Sequence, residues 1–223
     1  MAKLVWDQIS EHFFETGISN VALAVYDNGA YGTPVAWNGV TAITESPEGA
    51  DANALYADNI KYLNLRGVEE YGFTIEAYTY PDEWGVCDGS ATVVTGVKVG
   101  QQKRKSFGLM YVTRFGNDTE GSDFSEKLHI VYGATASPSE RAYETINDSP
   151  DAITFSWECD CTPIDMTALD DDLKPACLIT IDKNGNDKYD AIYNLCFGTD
   201  GTGGASGTNP KLPTPAELAA VLQ

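Results

Sequence analysis

Histidine and positive charge are scarce in this chain, which carries two histidines and 14 lysines and arginines against 33 aspartates and glutamates. The formal charge of -19 is the opposite of what gripping a phosphate backbone requires, because that binding rests on Lys and Arg displacing counterions. Two histidines, His12 and His129, leave little for a metal centre. No apolar run approaches the ~18–20 residues of a membrane span. The opening Met1-Ala2-Lys3-Leu4-Val5-Trp6-Asp7 runs into polar positions without an apolar stretch, so the expectation is a chain made and folded in a cytoplasm. Five cysteines, an odd number, then read as reduced and mostly buried thiols. The close pair Cys159 and Cys161 shares one face of a strand and is badly placed for a disulfide.

Familiar catalytic motifs are also missing. There is no G-x-S-x-G, P-loop, H-E-x-x-H or G-x-G-x-x-G. Gly201-Thr202-Gly203-Gly204 lacks the Lys-Ser/Thr of a phosphate loop, and residues 182–187 begin like a calcium loop but place Asp187 where glycine is needed and Tyr193 where glutamate is needed. Asp82-Glu83 and Asp170-Asp171-Asp172 are paired acids of the kind a glycosidase uses, yet in so acidic a chain adjacent acids read first as solvated surface. No catalytic residue, metal ligand or cofactor is assigned.

What is present is β pattern. Hydrophobic residues at 43% and aromatics at 11% suffice for a core. In residues 73–80, Phe73, Ile75 and Ala77 fall on one face, with Thr74, Glu76, Tyr78 and Tyr80 on the other, until Pro81 stops the run. Residues 153–162 alternate in the same way, Phe155, Trp157, Cys159 and Cys161 against Thr154, Ser156, Glu158 and Asp160. Residues 60–65, 107–115, 127–134 and 176–181 also read as strands, and Asn184-Gly185 predicts a hairpin whose second arm is 189–193. Ser137-Pro138-Ser139-Glu140 predicts a helix over 138–146, and Thr214-Pro215-Ala216-Glu217 another over the last residues.

The domain division expected is 1–197 as a β domain and 198–223 as an arm. Glycines and prolines over 198–213 read as a flexible linker, whose closing helix either reaches a partner or folds back on its own domain. Residues 41–58 fit neither period; a loop of that length joining two strands of one sheet suits a contact between subunits. Lys103-Arg104-Lys105, the single basic run, reads as a solvated loop or as a contact with a neighbouring copy's acids.

Five stretches closely resemble the major tail proteins of long, non-contractile-tailed (siphophage-type) bacteriophages: residues 36–41 (AWNGVT), 55–63 (LYADNIKYL), 75–84 (IEAYTYPDEW), 99–109 (VGQQKRKSFGL) and 129–143 (HIVYGATASPSERAY). The likeness extends to about Cys161 and weakens after Pro163. It implies a mainly β fold, a β-sandwich or barrel of the tail-tube type, with a short flanking helix that the 138–146 prediction would supply. It further implies six copies closing a ring around a shared inner barrel, and rings stacking into a tube that conducts double-stranded DNA. The long loop would reach the adjoining ring, which makes Glu45, Glu48, Asp51, Leu55, Tyr56 and Asp58 candidate contacts. Glu76, Glu158 and Asp160 are candidate lumen acids, and Lys103, Arg104 and Lys105 candidate contacts between subunits. The implied partners are the chain itself, a tape-measure protein, a tail terminator and a distal tail protein, in a virion assembled in a host bacterial cytoplasm. The rival class is a β-sandwich binding module for carbohydrate or a host receptor, with Trp37, Tyr78, Tyr80 and Trp84 as an exposed platform.

Overall fold

The computed structural model describes residues 3–146, 148, 151–201 and 206–223. In chain order the strands are β1 (Phe13–Asp27), β2 (Ala30–Tyr31), β3 (Val35–Ala36), β4 (Val40–Glu45), β5 (Glu48–Gly49), β6 (Ala52–Ala57), β7 (Ile60–Arg66), β8 (Glu69–Glu70) and β9 (Gly72–Ala77). After the one-turn helix α1 (Trp84–Cys87) come β10 (Ala91–Val94), β11 (Val97–Val99), β12 (Phe107–Asn117), β13 (Gly121–Ala136), β14 (Phe155–Cys161) and β15 (Leu178–Asp182). Helices α2 (Tyr189–Phe197) and α3 (Pro215–Leu222) close the chain.

The protein is mainly β. Its principal antiparallel sheet runs β2-β1-β12-β13-β14-β9-β4, with β3 paired to β1 and β15 to β13. Strand β13 is long enough to take two partners in succession on one edge, β15 along 127–131 and β14 along 134–136. Gly133 sits between them at φ 65°, where any Cβ would run into the Thr162 carbonyl oxygen. Both its conformation and its space therefore demand glycine. The far end of the sheet curls round so that β4 lies against β1, a barrel-like closure.

That curl creates two cores. Inside it pack Trp37, Trp84 and Trp157 with Leu23, Phe73, Ile75, Phe107 and Leu109. The indole centroids of Trp37 and Trp84 are 4.6 Å apart, and those of Trp84 and Trp157 are 5.2 Å apart. On the other face of β1, β12 and β13 lies a second core, where Met110, Leu128, Ile130 and Tyr132 are covered by Ile192, Leu212 and Leu218. This is why β12 reads as an unbroken apolar run: Phe107, Leu109 and Tyr111 serve one core, Met110 and Val112 the other.

Several expectations are corrected here. The second arm predicted after Asn184-Gly185 is helix α2, although Gly185 does turn the chain at φ 76°. Tyr189, Ile192 and Cys196 recur at helical spacing and are buried, and covering the outer face of a sheet favours that period over alternation. Residues 138–146 form no helix. Arg141 pairs with Asp88 and lies over the Tyr80 and Phe155 rings, while Tyr143 and Ile146 stay exposed, so a helix there would have no face to bury. Residues 147, 149 and 150 lie outside the described residues, as do 202–205 of the expected linker and of the Gly201–Gly204 stretch. Around that gap Thr199 and Thr208 bridge.

Of the two alternatives for the closing helix, α3 folds back on its own chain. Leu218 is buried in the second core, and the Tyr132 hydroxyl donates to the Pro213 carbonyl at 2.8 Å. Thr214 and Glu217 form the reciprocal capping box expected from the sequence. Thr214→Ala should therefore cost about 1 kcal/mol, read as a lowered urea midpoint at unchanged m-value.

Candidate functional site

Residues 41–58 are not a loop. Val40–Glu45 is strand β4, paired with β9 with a register shift between Val40 and Ala42, and Ala52–Ala57 is the first arm of a hairpin whose second arm is β7. Asp58 and Asn59 form its two-residue turn with φ of 51° and 62°, the conformation of a type I′ turn that Asp and Asn tolerate. Leu55 faces Leu63 and Asn53 faces Leu65, so Leu55, Leu63 and Leu65 share one face.

No strand of the principal sheet pairs with this hairpin. Every residue of β7 is exposed, including Ile60 (65%) and Tyr62 (70%), and Tyr56 on β6 is 72% exposed. An isolated two-stranded ribbon is marginal in water, and one that holds large apolar side chains in solvent gains by meeting another surface. The hairpin β10–β11 likewise exposes Val93, Val94, Val97 and Val99. Leu4, Val5, Trp6 and Ile9 of the N-terminal segment are exposed as well.

The six predicted contact residues separate in space. Leu55, Tyr56 and Asp58 belong to the hairpin, and Asp51 lies at its base. Glu48 is in the short β5–β8 ladder that carries it. Glu45 is instead turned onto the barrel, where its carboxylate accepts from the Tyr111 hydroxyl at 2.9 Å. Ile60, Tyr62, Leu63 and Leu65 were missed as hairpin residues. The signal was Asp58-Asn59 between two apolar stretches, a turn dipeptide.

The three acids proposed for a lumen fall on one surface. Glu76 sits opposite Ser156 and Ala42, Glu158 opposite Thr74, and Asp160 opposite Thr135 and Gly72. Thr44 continues the row beside Thr74. The opposite face of the same strands holds Phe73, Ile75, Trp157 and Cys159. One side of β4, β9 and β14 is thus core, and the other is a surface of carboxylates and hydroxyls with no Lys or Arg in these rungs.

Comparison with known proteins adds little to this geometry. No family model matches the sequence, and no curated protein does. Among solved structures, a chain of the cryo-EM structure of the anti-feeding prophage (AFP) baseplate, 6-fold symmetrised, is 8% identical over 80% of this chain and 97% of that one, with a TM-score of 0.34. A superposition that loose decides neither strand order nor role.

Two members of the basic run, Arg104 and Lys105, are engaged within the subunit. Lys105 pairs with Asp27 at 2.8 Å, and Arg104 donates to the Asp88 carbonyl at 3.0 Å. Lys103 is exposed. Of the supposed sugar platform, Trp37 and Trp84 are buried in the first core, and the Trp37 indole donates to the Thr79 carbonyl at 2.8 Å. Of the four only Tyr78 is exposed, which leaves no aromatic shelf at these positions. Asp82 is held by Lys98 at 2.7 Å, and Asp170 accepts from the Asp172 backbone N–H in a turn.

One buried polar network sits where β4, β12, β13 and β15 meet. The His129 imidazole stacks on Tyr111 with centroids 4.6 Å apart, and its nitrogens lie 2.9 Å from the Thr113 hydroxyl and 3.4 Å from the Thr180 hydroxyl. Burial lowers the imidazole's proton affinity, opposed by Glu45 and Glu15, helped by Lys127, and opposed again by Asp182. Burial likewise pushes the Tyr111 phenol far up, so it keeps its proton and donates to Glu45. The network holds strands together and has no free nucleophile among these groups.

A pH dependence follows from the imidazole. With its folded value below its unfolded one, the unfolded chain binds the extra proton. The His129 contribution is complete above the ordinary value of about 6.5 and is lost as pH falls below it. Between about pH 6.5 and 5, the urea midpoint of His129→Gln should therefore fall less steeply than that of the parent chain. Equal slopes would show that the carboxylates alone set the trend.

Proposed function

We propose that this chain is a self-assembling structural subunit of a bacteriophage tail, whose copies close into rings and stack into a tube that conducts DNA. The observation that carries the proposal is the freestanding β6–β7 hairpin, which exposes six large apolar side chains from Leu55 to Leu65 and pairs with no other strand among the described residues. A ribbon of this kind is stable once it lies on a second copy, and identical head-to-tail contacts close a ring when their rotation closes. The sheet edges left open in a lone subunit would be completed by neighbours in such a ring.

The acid and hydroxyl face of β4, β9 and β14 would line the bore. Its core face is already filled, so this surface is free to be wet, and carboxylates without neighbouring cations repel phosphate. Six copies would carry about -114 in all. On this reading Lys103 is the member of the basic run left for a neighbouring subunit. A tape-measure protein inside the bore, and a terminator and a distal tail protein at its ends, are the remaining partners the reading requires.

Negative-stain imaging of concentrated native protein tests the proposal: rings or tubes are expected, and isolated subunits under all assembly conditions would overturn it. The bore assignment has its own test. Replacing Glu76, Glu158 and Asp160 together by lysine should turn a tube that ignores double-stranded DNA into one that binds it with strong salt dependence. Unchanged DNA binding by well-formed variant tubes would place these acids elsewhere.

A further inference from the structure

The five thiols are not equivalent. Cys87, Cys159 and Cys196 are buried in the two cores, whereas Cys161 is half-buried at the end of β14 and Cys177, buried but in neither core, lies just before β15. These two segments succeed one another on the same edge of β13 and converge on Gly133. The Thr162 N–H donates to the Gly133 carbonyl at 3.0 Å, and the Tyr132 N–H donates to the Cys177 carbonyl at 2.8 Å. Cys161 is opposite Ala134, so the two cysteines meet β13 about two residues apart, at most ~6.6 Å along a strand. A disulfide spans Cα atoms up to about 6.8 Å apart. After burial, each thiol is the other's main perturbing neighbour, and between the two segments the Gly133 N–H donates to the Tyr31 hydroxyl at 2.9 Å.

We propose that Cys161 and Cys177 are a redox-closable pair, forming a disulfide that ties β14 to β15 across the Gly133 bulge when the protein meets a hydroperoxide. Cys161, the more accessible sulfur, attacks one peroxide oxygen; the O–O bond breaks, the other oxygen leaves as water, and Cys161 becomes a sulfenic acid. The Cys177 sulfur then attacks the Cys161 sulfur, the S–O bond breaks, and a second water departs. Two thiols have lost two protons and two electrons, and one molecule of hydrogen peroxide has become two of water. In a reducing compartment the pair stays open, and outside it the pair closes. Burial raises both thiols, so closure is slow at neutral pH and quickens about tenfold per pH unit, following the thiolate fraction.

The test treats the full-length native protein with hydrogen peroxide at about pH 8.5, where more thiolate is present. Alkylation in denaturant and peptide mass spectrometry follow. The expected product is a Cys161–Cys177 peptide pair lighter by two hydrogens, with Cys87, Cys159 and Cys196 still alkylated. Oxidation should raise the unfolding temperature by about 6–10 °C, reversed by dithiothreitol and absent in Cys177→Ser, because the closed segment restricts the unfolded chain. In Cys177→Ser, Cys161 should go on to sulfinic acid. Over-oxidised Cys161 beside an intact Cys177 in the parent protein, a cross-link between any other two cysteines, or five alkylated thiols after oxidation would each overturn the proposal.

Discussion

Excising residues 52–66 and joining Asp51 to Gly67 through an Asn-Gly turn should leave a folded subunit that no longer assembles. The junction is short, since the Ala50 N–H donates to the Val68 carbonyl at 3.1 Å and Gly49 pairs with Glu69. The hairpin contributes nothing to either core, so the unfolding temperature should move by no more than about 3 °C, the shift of a change near 1 kcal/mol. Assembly is another matter. Fully burying six large apolar side chains is worth about 1.5–3 kcal/mol each, or about 9–18 kcal/mol as an upper bound. Association costs on the order of 4–15 kcal/mol, so this one element decides the sign of the balance. Sedimentation and imaging at matched concentration read the outcome, and variant tubes of parental length would remove the hairpin from the interface. A cut over 44–57, which the residue pattern alone suggests, would instead break the pairing of Thr44 with Thr74 and the Glu45–Tyr111 bond.

The second large effect belongs to the indole cluster. Trp157 is fully buried against Trp37, Trp84, Tyr80 and Phe155, and Trp157→Ala should cost about 3–5 kcal/mol. For a chain of this length that is a fall of about 6–20 °C in unfolding temperature. Trp157→Phe should cost far less than the alanine change, because the Trp157 indole N–H has no hydrogen-bond partner among the described residues and its removal orphans no acceptor there. If the phenylalanine variant proved as unstable as the alanine one, shape rather than buried area would govern this core.

The strands carrying these tryptophans were legible because their signal is local. Residues 73–77 and 155–161 alternate cleanly, and the structure pairs them rung by rung, Phe73 with Cys159 and Ile75 with Trp157. The Thr214–Glu217 capping box was legible for the same reason, since all its atoms lie within one turn. Ser137-Pro138-Ser139-Glu140 carries a similar start signal and yields no helix. A cap lowers the cost of beginning a helix but does not supply a surface to bury it against, and Arg141 is drawn instead to Asp88, distant in sequence.

Tyr189-Asp190-Ala191-Ile192-Tyr193 is compatible with both periods, and only the apolar outer face of β12 and β13, which the helix covers, selects the helix. The hairpin was obscured in another way. Its arms lack the inward-facing apolar alternation of a core strand because they touch no core, and so they resemble a loop beside an ordinary strand. The candidate acids Glu76, Glu158 and Asp160 were each legible as outward-facing, but that they share one surface depends on the antiparallel register of β9 and β14.

By itself, then, the sequence determined what short-range chemistry can determine: the mainly β character, the strands with one or both faces buried, the excess of acid and the capped final helix. Which segments meet was decided only in three dimensions. The split edge of β13, the two cores and the placing of Cys161 near Cys177 depend on partners dozens of residues away, and the ribbon stands apart because no other described strand pairs with it. Periodicity reports whether a face is buried and is silent about what buries it.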